Sequence, residues 1–590
     1  MRRAKLVILG SFDRLIPRES QRVFVLTLII GAVSGLAAVA FHLSIAWASD
    51  LMIGTALASS QYLWLVILLP ACGGVVCGLL LAYVAPGARG SGIPQVKVAY
   101  AIKGGRISPR EVIGKFFISV LQIGSGASLG REGPTVHICA GIASLLGRTM
   151  ALSQKNLKRL LPVGAAAGIA AAFNAPIAAV TFTIEEVVGD LDQTVLSGVI
   201  VAAAIAAVIE RSVLGEHPVL TANGTYGLTH ASSLIFYALL GVIGGGVSLG
   251  FSESLLWLRG KFTGLRSLPD WAKPAIGGLV TGLLIYIAAR GVGADGINGG
   301  GYETLSSALS GTLAIKVMLA LCVMKYLATV FSYSSGGAGG IFAPVLFIGG
   351  MIGGVVGNLD QTLLGHSQNE VGAFALVGMG TVFAGVIRAP ITSVLIIFEM
   401  TGSYGLILPM MISNMTAYAL ARHFKPTPVY DALLEQDDIH LPHSGKVVGR
   451  ILDEKTVGDV MRADAVVLDA EITVDEAYGA IQSHEFTTFP VVDDLDRCVG
   501  TVTEMRLRRN RAAGNGAAPL ADIMQPPTVA YPHYSLSRAL FRMDGSSVRQ
   551  LAVISRETGR FLGIVTMSDI VAAQATVIRP HDVTETPERR

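Results

Sequence analysis

The stretch GASLGREGPTV, residues 126–136, places Arg131 and Glu132 side by side in an otherwise apolar part of the chain. Glycines flank the charged pair, and Pro134 follows it. Proline suits the first turn of a helix, because the amide proton that it lacks would have no partner there. Glycine permits the backbone bend that precedes such a start. The stretch therefore predicts a helix that begins at the charged pair, inside an apolar region.

The composition around this stretch is that of a membrane protein. Of 590 residues, 52% are hydrophobic and only 15% are charged, whereas soluble domains usually carry about 25% charged residues. The mean hydropathy is +0.58. Residues 23–49 and 51–88 lack Asp, Glu, Lys and Arg, and each run exceeds the roughly 20 residues that a helix needs to cross a bilayer. Lysine and arginine are scattered and the net charge is +3, so no nucleic-acid partner is predicted.

The apolar region divides into two halves, about 25–210 and 230–422. Each half contains one glycine-rich interruption that ends in proline, GSGASLGREGP in the first and SSGGAGGIFAP in the second. Interruptions at corresponding positions of two halves are the best sequence indication of a transporter's binding site. The pattern predicts an all-α polytopic membrane protein with broken and tilted helices.

Two further segments and the second interruption offer groups that can bind an anion. In RGSGIPQ, residues 89–95, Ser91 precedes a predicted helix start, where a hydroxyl and unpaired amides favour negative charge. In the second interruption, the amides of Ile341 and Phe342 are expected to be unpaired in the same way. Tyr430, in KPTPVYDALL, can donate one hydrogen bond. The alternatives are an ordinary turn at Ser91 and a membrane-interface anchor at Tyr430.

The motifs GSGIP, GREGP and GGIFAP, in this order on an apolar frame that ends in KPxPxY, resemble the CLC family of chloride channels and chloride/proton antiporters. The resemblance covers about residues 25–430. It implies an inverted-repeat fold and a homodimer with one pathway in each subunit. It also implies that Ser91 and Tyr430 bind chloride through their hydroxyls, and Ile341 and Phe342 through their amides. Chloride-preferring members carry serine at the position of Ser91.

Glu132 matches the gating glutamate of that family. A carboxylate is itself an anion, so it can take the place of chloride at a site built from helix N-termini. Protonation removes its charge and lets the side chain swing away from the site. The alternative is a buried salt bridge between Glu132 and Arg131.

The segment FNAPIAAVTFTIEEVVGD places Glu185 and Glu186 at the end of an apolar helix. In the family, the second acid of this pair is the internal proton-transfer glutamate, and passive channels commonly have valine there. Glu186 therefore favours a chloride/proton antiporter over the alternative, a passive chloride channel gated by voltage or protons. A solvated acid pair is the structural alternative. The sequence assigns no role to Lys115 or Glu399, and leaves Arg131 as a fixed counter-charge or a surface contact.

Beyond the apolar region, the composition becomes that of a soluble α/β domain. VGDVM at 457–461 recurs as LADIM at 520–524, and FPVVDDLDRCVGTVTEMRL matches LAVISRETGRFLGIVTMSDI in order. The repeat resembles a pair of CBS domains. The predicted organisation is a cytosolic N-terminal segment 1–24, a transmembrane domain 25–425, a linker 426–449, CBS domains at 450–511 and 516–575, and a polar tail 576–590.

The second CBS copy contains GIVTMSD, in which Thr566 and Asp569 match residues that bind the phosphate and ribose of adenosine ligands in such pairs. The first copy reads GTVTEMR and has Arg506 in place of the aspartate. At most one adenine nucleotide site is therefore expected, and a purely structural CBS pair is the alternative.

Two other functions fit the sequence less well. GASLG at 126–130 satisfies the GxSxG pattern of hydrolases, but the expected strand, turn and helix are missing from its surroundings. A divalent-cation transporter with CBS domains should carry several acids in its pore. A non-enzymatic transporter in the inner cell membrane, with a cytoplasmic N-terminus and cytoplasmic CBS domains, is predicted instead.

Overall fold

The structure is a computed structural model that describes residues 19–59, 61–150, 152–189, 193–215, 226–367, 369–441, 452, 455–482, 487–546 and 548–578. The chain forms two compact units, Met1–Leu441 and Pro442–Arg590. Most of the predicted N-terminal segment, the end of the predicted linker and most of the predicted tail lie outside the described residues.

The first unit is helical, which confirms the predicted all-α membrane fold. Nine helices among its described residues are long and apolar enough to cross a membrane. Its helices are α1 Glu19–Ser49, α2 Thr55–Leu57, α3 Leu65–Leu79, α4 Ile93–Ala101, α5 Pro109–Gly124, α6 Glu132–Thr149, α7 Gln154–Phe173, α8 Pro176–Phe182, α9 Gln193–Leu214, α10 Ser233–Gly264, α11 Lys273–Ile287, α12 Tyr302–Leu309, α13 Ile315–Ser334, α14 Phe342–Leu364, α15 Asn369–Ile387, α16 Pro390–Thr401, α17 Ile407–Phe424 and α18 Val429–Glu435.

The two halves repeat the same order of eight helices, α1 with α3–α9 in the first and α10–α17 in the second. In each half, the second of the eight helices ends in a π-helical segment, Leu80–Val84 or Ala288–Val292. A short helix follows, α4 or α12. The glycine-rich interruption then precedes the fifth helix of the half, α6 or α14. The start of the predicted linker forms α18, because the side chains of Val429, Leu433 and Leu434 are buried in this unit.

Corresponding helices of the two halves meet antiparallel. A β-carbon at Gly74 of α3 would lie 2.4 Å from the carbonyl oxygen of Pro274 in α11, and one at Gly78 would lie 1.9 Å from that of Trp271. As residue numbers rise along α3, those of the contacting residues fall, from Pro274 in α11 to Trp271 just before it, and glycine is required for this close crossing. The interruptions pair in the same sense, since Gly130 and Gly340 each donate an amide hydrogen bond of 2.7 Å to the other's carbonyl. The repeat is therefore inverted.

The second unit contains two three-stranded sheets of identical design. In each sheet the first strand pairs parallel with the second, and the second pairs antiparallel with the third. The strands are β1 Leu468–Asp469, β2 Thr488–Val492, β3 Cys498–Thr503, β4 Val529–Ala530, β5 Gln550–Ile554 and β6 Phe561–Thr566. The helices are α19 Val474–Ile481, α20 Glu504–Ala512, α21 Leu520–Ile523, α22 Leu536–Gly545 and α23 Met567–Ile578.

The leading segment of each copy packs into the core of the other copy. Val457, from VGDVM, is buried with Val553 and Val565 of the second sheet. Leu520, from LADIM, is buried with Val491 of the first sheet. Each copy therefore lacks part of its core without the other, which explains in physical terms why the repeat occurs as a pair.

Candidate functional site

The candidate site lies where the two interruptions meet, at the N-termini of α6 and α14. Ile341 and Phe342, the cap and first residue of α14, are buried. The ring of Phe342 packs against Phe173 and Phe383 at centroid distances of 4.7 and 4.4 Å. This packing fixes the start of α14. The first amides of a helix have no intrahelical acceptor, so they are available to an anion.

Ser91 and Tyr430 bring two unused hydroxyls to the same region. Both residues are fully buried, and neither hydroxyl has a hydrogen-bond partner among the described residues. Ser91 lies against the first turn of α6, because a β-carbon at Gly133 would be 2.5 Å from its Oγ. Helix α18, which carries Tyr430, packs against α4, which begins just after Ser91. A buried hydroxyl without a partner is unfavourable, and an anion accepts from both.

Glu132 is the first residue of α6 and is 1% exposed. Its Oε1 accepts a hydrogen bond of 2.5 Å from the hydroxyl of Tyr302. Its Oε2 is buried and has no hydrogen-bond partner among the described residues. The carboxylate is therefore held on one side only, at the positive end of a helix.

Sequence reasoning missed Tyr302. It opens α12, the short helix that corresponds to α4 in the first half. The glycine-rich GINGGGY before α12 mirrors RGSG before α4. Symmetry between the halves could therefore have indicated Tyr302, because Ser91 lies just before α4 and Tyr302 begins the corresponding helix α12.

Arg131 does not form the salt bridge that was the alternative for Glu132. Both residues are described, and no ion pair joins them. The Arg131 guanidinium lies 5.8 Å from the ring centroid of Tyr302 and donates a hydrogen bond of 3.4 Å to the carbonyl of Ala172. Arg131 therefore packs over the tyrosine that contacts the glutamate.

Comparison with known proteins fits this geometry. The sequence profile of the family described as "Voltage gated chloride channel" matches residues 73–422. The H(+)/Cl(-) exchange transporter ClcA of Salmonella arizonae is 31% identical over 453 residues, 74% of this chain and 92% of that protein. This chain belongs to the voltage-gated chloride channel (CLC) family. The ClcA protein of Citrobacter koseri is 32% identical over 71% of this chain and 90% of its own length.

Solved CLC structures have the same fold. A slow cyanobacterial Cl-/H+ antiporter aligns with a TM-score of 0.63 and 26% identity, covering 70% of this chain and 98% of its own. A eukaryotic CLC transporter covers 93% of this chain and 98% of its own, with a TM-score of 0.60 and 20% identity. The CBS domain profile matches residues 457–513 and 520–576, so both predicted family resemblances are confirmed.

Glu186 of this CLC chain is buried in an ion-paired cluster. It lies in the π-helical segment Thr183–Val188, and its Oε1 is 2.8 Å from Nζ of Lys97. The same Nζ lies 2.5 Å from Oδ1 of Asp431. Glu186 is 6% exposed, so it is not the solvated acid that was its structural alternative.

Two short segments link this cluster to the anion-binding groups. Lys97 lies on α4, which follows Ser91, and Asp431 is the neighbour of Tyr430 on α18. Each segment thus carries one hydroxyl of the candidate anion site and one member of the Glu186 cluster.

Glu185 and Glu399 have matching structural roles. The Glu185 carboxylate accepts from the amides of Ile391 and Thr392 at 3.1 and 2.8 Å, in the first turn of α16. The Glu399 carboxylate accepts from the amides of Ile177 and Ala178 at 2.9 and 2.6 Å, in the first turn of α8. Each acid therefore caps the short helix that corresponds to its own in the other half.

Lys115 is fully buried and donates to the carbonyl oxygens of Ala88 and Gly90 at 2.8 and 2.5 Å. Lys325 does the same in the second half, with hydrogen bonds to the carbonyls of Gly296 to Gly299. Each lysine holds the irregular backbone just before a short helix. Lys115 therefore fixes the segment that presents Ser91.

The hydrolase alternative finds no support at Ser128, the serine of GASLG. Its Oγ lies 3.0 Å from the Thr329 hydroxyl rather than against a histidine, and its amide donates a hydrogen bond of 3.2 Å to Oγ of Ser332. His137 is fully buried, and neither ring nitrogen has a hydrogen-bond partner among the described residues. The family's relatives are transporters by name, and the chain is a transporter rather than an enzyme.

In the second CBS copy, the carboxylate of Asp569 is already engaged. Its Oδ2 accepts from the hydroxyl and amide of Thr566 at 2.6 and 3.0 Å. Its Oδ1 lies 2.8 Å from Nε and 2.6 Å from Nη2 of Arg462. In the first copy, Arg506 donates instead to the carbonyl of Ile523. Both carboxylate oxygens of Asp569 are therefore engaged by groups of the chain itself.

Proposed function

We propose that this CLC chain is a chloride/proton antiporter in which Glu132 is the gate and Glu186 transfers protons at the inner end of the pathway. The observation that carries the proposal is the position of Glu132. Its carboxylate occupies the positive end of α6 next to Ser91, with one oxygen on Tyr302 and one without a partner among the described residues. A carboxylate so placed competes with chloride for the same donors.

Chloride binds, in this proposal, through the hydroxyls of Ser91 and Tyr430 and the amides of Ile341 and Phe342. These groups supply hydrogen bonds and partial charges without a fixed cation. A lysine or arginine in direct contact would hold chloride too tightly, and transport requires that the ion also leave. Lys115, the buried lysine that contacts the carbonyl of Gly90 next to Ser91, is occupied by two carbonyl oxygens.

The exchange follows from competition at the gate. When Glu132 accepts a proton, it loses its charge, its attraction to the helix end falls, and chloride can take its place. When the proton leaves toward Glu186, the carboxylate regains its charge and displaces chloride. One site cannot hold chloride and the Glu132 carboxylate at the same time. Chloride and protons therefore move in opposite directions.

The direct test is ion flux in liposomes that contain the purified full-length chain. A chloride gradient is expected to drive protons uphill, measured with a pH electrode outside the vesicles. Chloride flux without proton movement would instead support the passive channel. The second candidate function is a passive chloride channel in which voltage or protons open the same Glu132 gate.

Replacing Tyr302 with phenylalanine is expected to accelerate exchange several-fold at neutral pH. The substitution removes the hydrogen bond to Glu132, and a bond to a charged group contributes roughly 1.5–3 kcal/mol. The gate then leaves its site more easily, while proton coupling remains because the carboxylate is intact. Tyr326→Phe is the matched control, since that hydroxyl contacts Ser254 at 2.9 Å instead. An unchanged rate in Tyr302→Phe contradicts a restraining role for this bond.

The protein is proposed to work as a homodimer in the inner cell membrane. Helices α8 and α16 pack on each other and are too short to span the bilayer. Ile177 and Ile391, in their first turns, are 54% and 59% exposed beside the capping carboxylates. Lipid is a poor neighbour for such polar groups, whereas a second subunit covers them. Light scattering of the detergent-purified chain measures the mass, and a monomer contradicts the dimer.

The N-terminus and the CBS pair are proposed to lie in the cytoplasm. The role proposed for the CBS pair is structural. Because Arg462 and Thr566 engage both oxygens of Asp569, we expect no heat when ATP, ADP or AMP is titrated into the full-length chain. Saturable heat that disappears in Asp569→Asn would identify an adenine nucleotide site and contradict the structural role.

A further inference from the structure

Tyr302 lies in the part of the second half that corresponds to the Ser91 segment of the first half. In each half, a fully buried lysine donates hydrogen bonds to backbone carbonyls just before a short helix, Lys115 before α4 and Lys325 before α12. Ser91 lies just before α4, and Tyr302 is the first residue of α12. Each half therefore presents one hydroxyl from a segment that a buried lysine holds in place.

The contacts of these two segments also correspond. A β-carbon at Gly133, the second residue of α6, would lie 2.5 Å from Oγ of Ser91. A β-carbon at Gly300, in the segment before α12, would lie 3.2 Å from the β-carbon of Ala343, the second residue of α14. The segment before α4 thus packs on the first turn of α6, and the segment before α12 packs on the first turn of α14. In an inverted repeat, binding groups of one half have counterparts in the other half.

The Glu132 carboxylate lies at the counterpart position. A β-carbon at Gly130 would collide with Oε2 of Glu132 and would lie 3.1 Å from the amide nitrogen of Ala343. The carboxylate is therefore close to the first turn of α14 as well as to the start of α6. Oε2 is buried without a hydrogen-bond partner among the described residues, whereas Oε1 accepts from Tyr302 at 2.5 Å. A negative group already occupies the space between two helix N-termini and a hydroxyl donor.

The Tyr302 hydroxyl loses its acceptor when the gate opens. Among the described residues, Glu132 is the only group that accepts a hydrogen bond from it. Two contacts hold the ring without Glu132, since a β-carbon at Gly300 would lie 2.7 Å from a ring carbon and the Arg131 guanidinium lies 5.8 Å from the ring centroid. A hydroxyl donor without an acceptor is unfavourable away from water. A chloride ion that replaces the carboxylate supplies the missing acceptor.

We propose that Tyr302 is an anion-binding residue, whose hydroxyl donates to Glu132 when the gate is closed and to chloride when the gate is open. The proposal rests on the proposed function, because it requires that chloride replaces the Glu132 carboxylate. The ion would be held by this hydroxyl and by the amides at the starts of α6 and α14, without a lysine or arginine in contact. Such neutral donors also let the ion leave. Because the hydroxyl passes from the gate to the ion, it stabilises the open gate only when chloride is present.

The test is calorimetric titration of chloride into the purified full-length Glu132→Ala variant, in which no carboxylate competes for the position. Two chloride ions per chain are expected, one at the site of Ser91 and one in place of the gate. Adding Tyr302→Phe should weaken one binding step by roughly tenfold to a hundredfold, because a hydrogen bond to a charged group is lost. The other step should stay unchanged, which checks that the variant is folded. Tyr326→Phe in the same Glu132→Ala chain is the matched control, since that hydroxyl contacts Ser254.

A second measurement uses the chain with its gate intact. Tyr302→Phe should raise the chloride concentration that gives half-maximal exchange, while the rate at saturating chloride rises because the gate is less restrained. A tyrosine that only restrains the gate would raise the rate and leave the half-saturating concentration unchanged.

Two results would overturn the proposal. One is the same chloride binding in Glu132→Ala with and without Tyr302→Phe, and the other is an unchanged half-saturating chloride concentration in Tyr302→Phe. The binding measurement needs no proton gradient. A passive channel would therefore contradict the antiporter proposal without changing the chloride binding expected at Tyr302.

Discussion

Replacing Glu132 with glutamine is expected to abolish proton movement driven by a chloride gradient. Glutamine has the shape of the protonated side chain and its carbonyl oxygen can still accept from Tyr302, but it carries neither the charge nor the exchangeable proton. Chloride should still cross, because Ser91, Tyr430 and the start of α14 are unchanged. Parallel recordings with chloride and pH electrodes in liposomes measure both fluxes.

The matched control is Glu303→Gln. Glu303 follows Tyr302 on α12 and is exposed, so its carboxylate does not lie at the start of α6. Exchange in this variant should keep the coupling of the unmodified chain. Chloride-driven proton uptake that persists in Glu132→Gln would exclude this residue as the gate.

The sequence predicted the frame of the site well, since its determinants are local. Gly130, Pro134, Gly340 and Pro344 each act within one turn, so a helix start can be predicted from a few neighbouring residues. The repeat itself could also be predicted, because the two interruptions recur at corresponding positions, whereas its inverted arrangement was implied only by the family resemblance. The family resemblance rested on these same segments.

What the sequence could not predict depends on pairs of residues far apart in the chain. Tyr302 is 170 residues from Glu132, and Lys97 is 89 residues from Glu186. Neither partner belongs to one of the recognised motifs, and each contact depends on how distant segments of the chain pack together. Glu399 was unexplained for the same reason, since the amides that it caps are 221 and 222 residues away, in α8.

Glu185 and Glu186 are adjacent in sequence but have different partners, because Glu185 caps a helix of the other half. Glu185 accepts from the amides that begin α16, whereas Glu186 faces Lys97. In a π-helical segment, neighbouring side chains point in different directions, so the pair is split between a structural and a proton-transfer role. This division makes a direct comparison of the two residues possible.

Replacing Glu186 with glutamine is expected to stop proton movement while chloride flux continues. Glutamine cannot carry the proton between Glu132 and the inner side. The Lys97 charge stays compensated because Asp431 remains 2.5 Å away, so the cluster should keep its structure. The anion-binding groups are untouched, and chloride flux measured in the same liposomes is therefore the internal check on folding.

Glu185→Gln is the matched control, one residue away. Its amide oxygen can still accept from Thr392, so we expect coupled exchange with some loss of thermal stability. Lys97→Gln adds a third comparison, because it leaves the buried Glu186 and the partly buried Asp431 as two acids without their cation. Repulsion between them favours a bound proton on one of the pair, so proton movement should slow while Glu186 remains present. If protons cross equally well in Glu186→Gln and Glu185→Gln, the inner proton path does not run through Glu186, and the Lys97–Asp431 pair serves the fold alone.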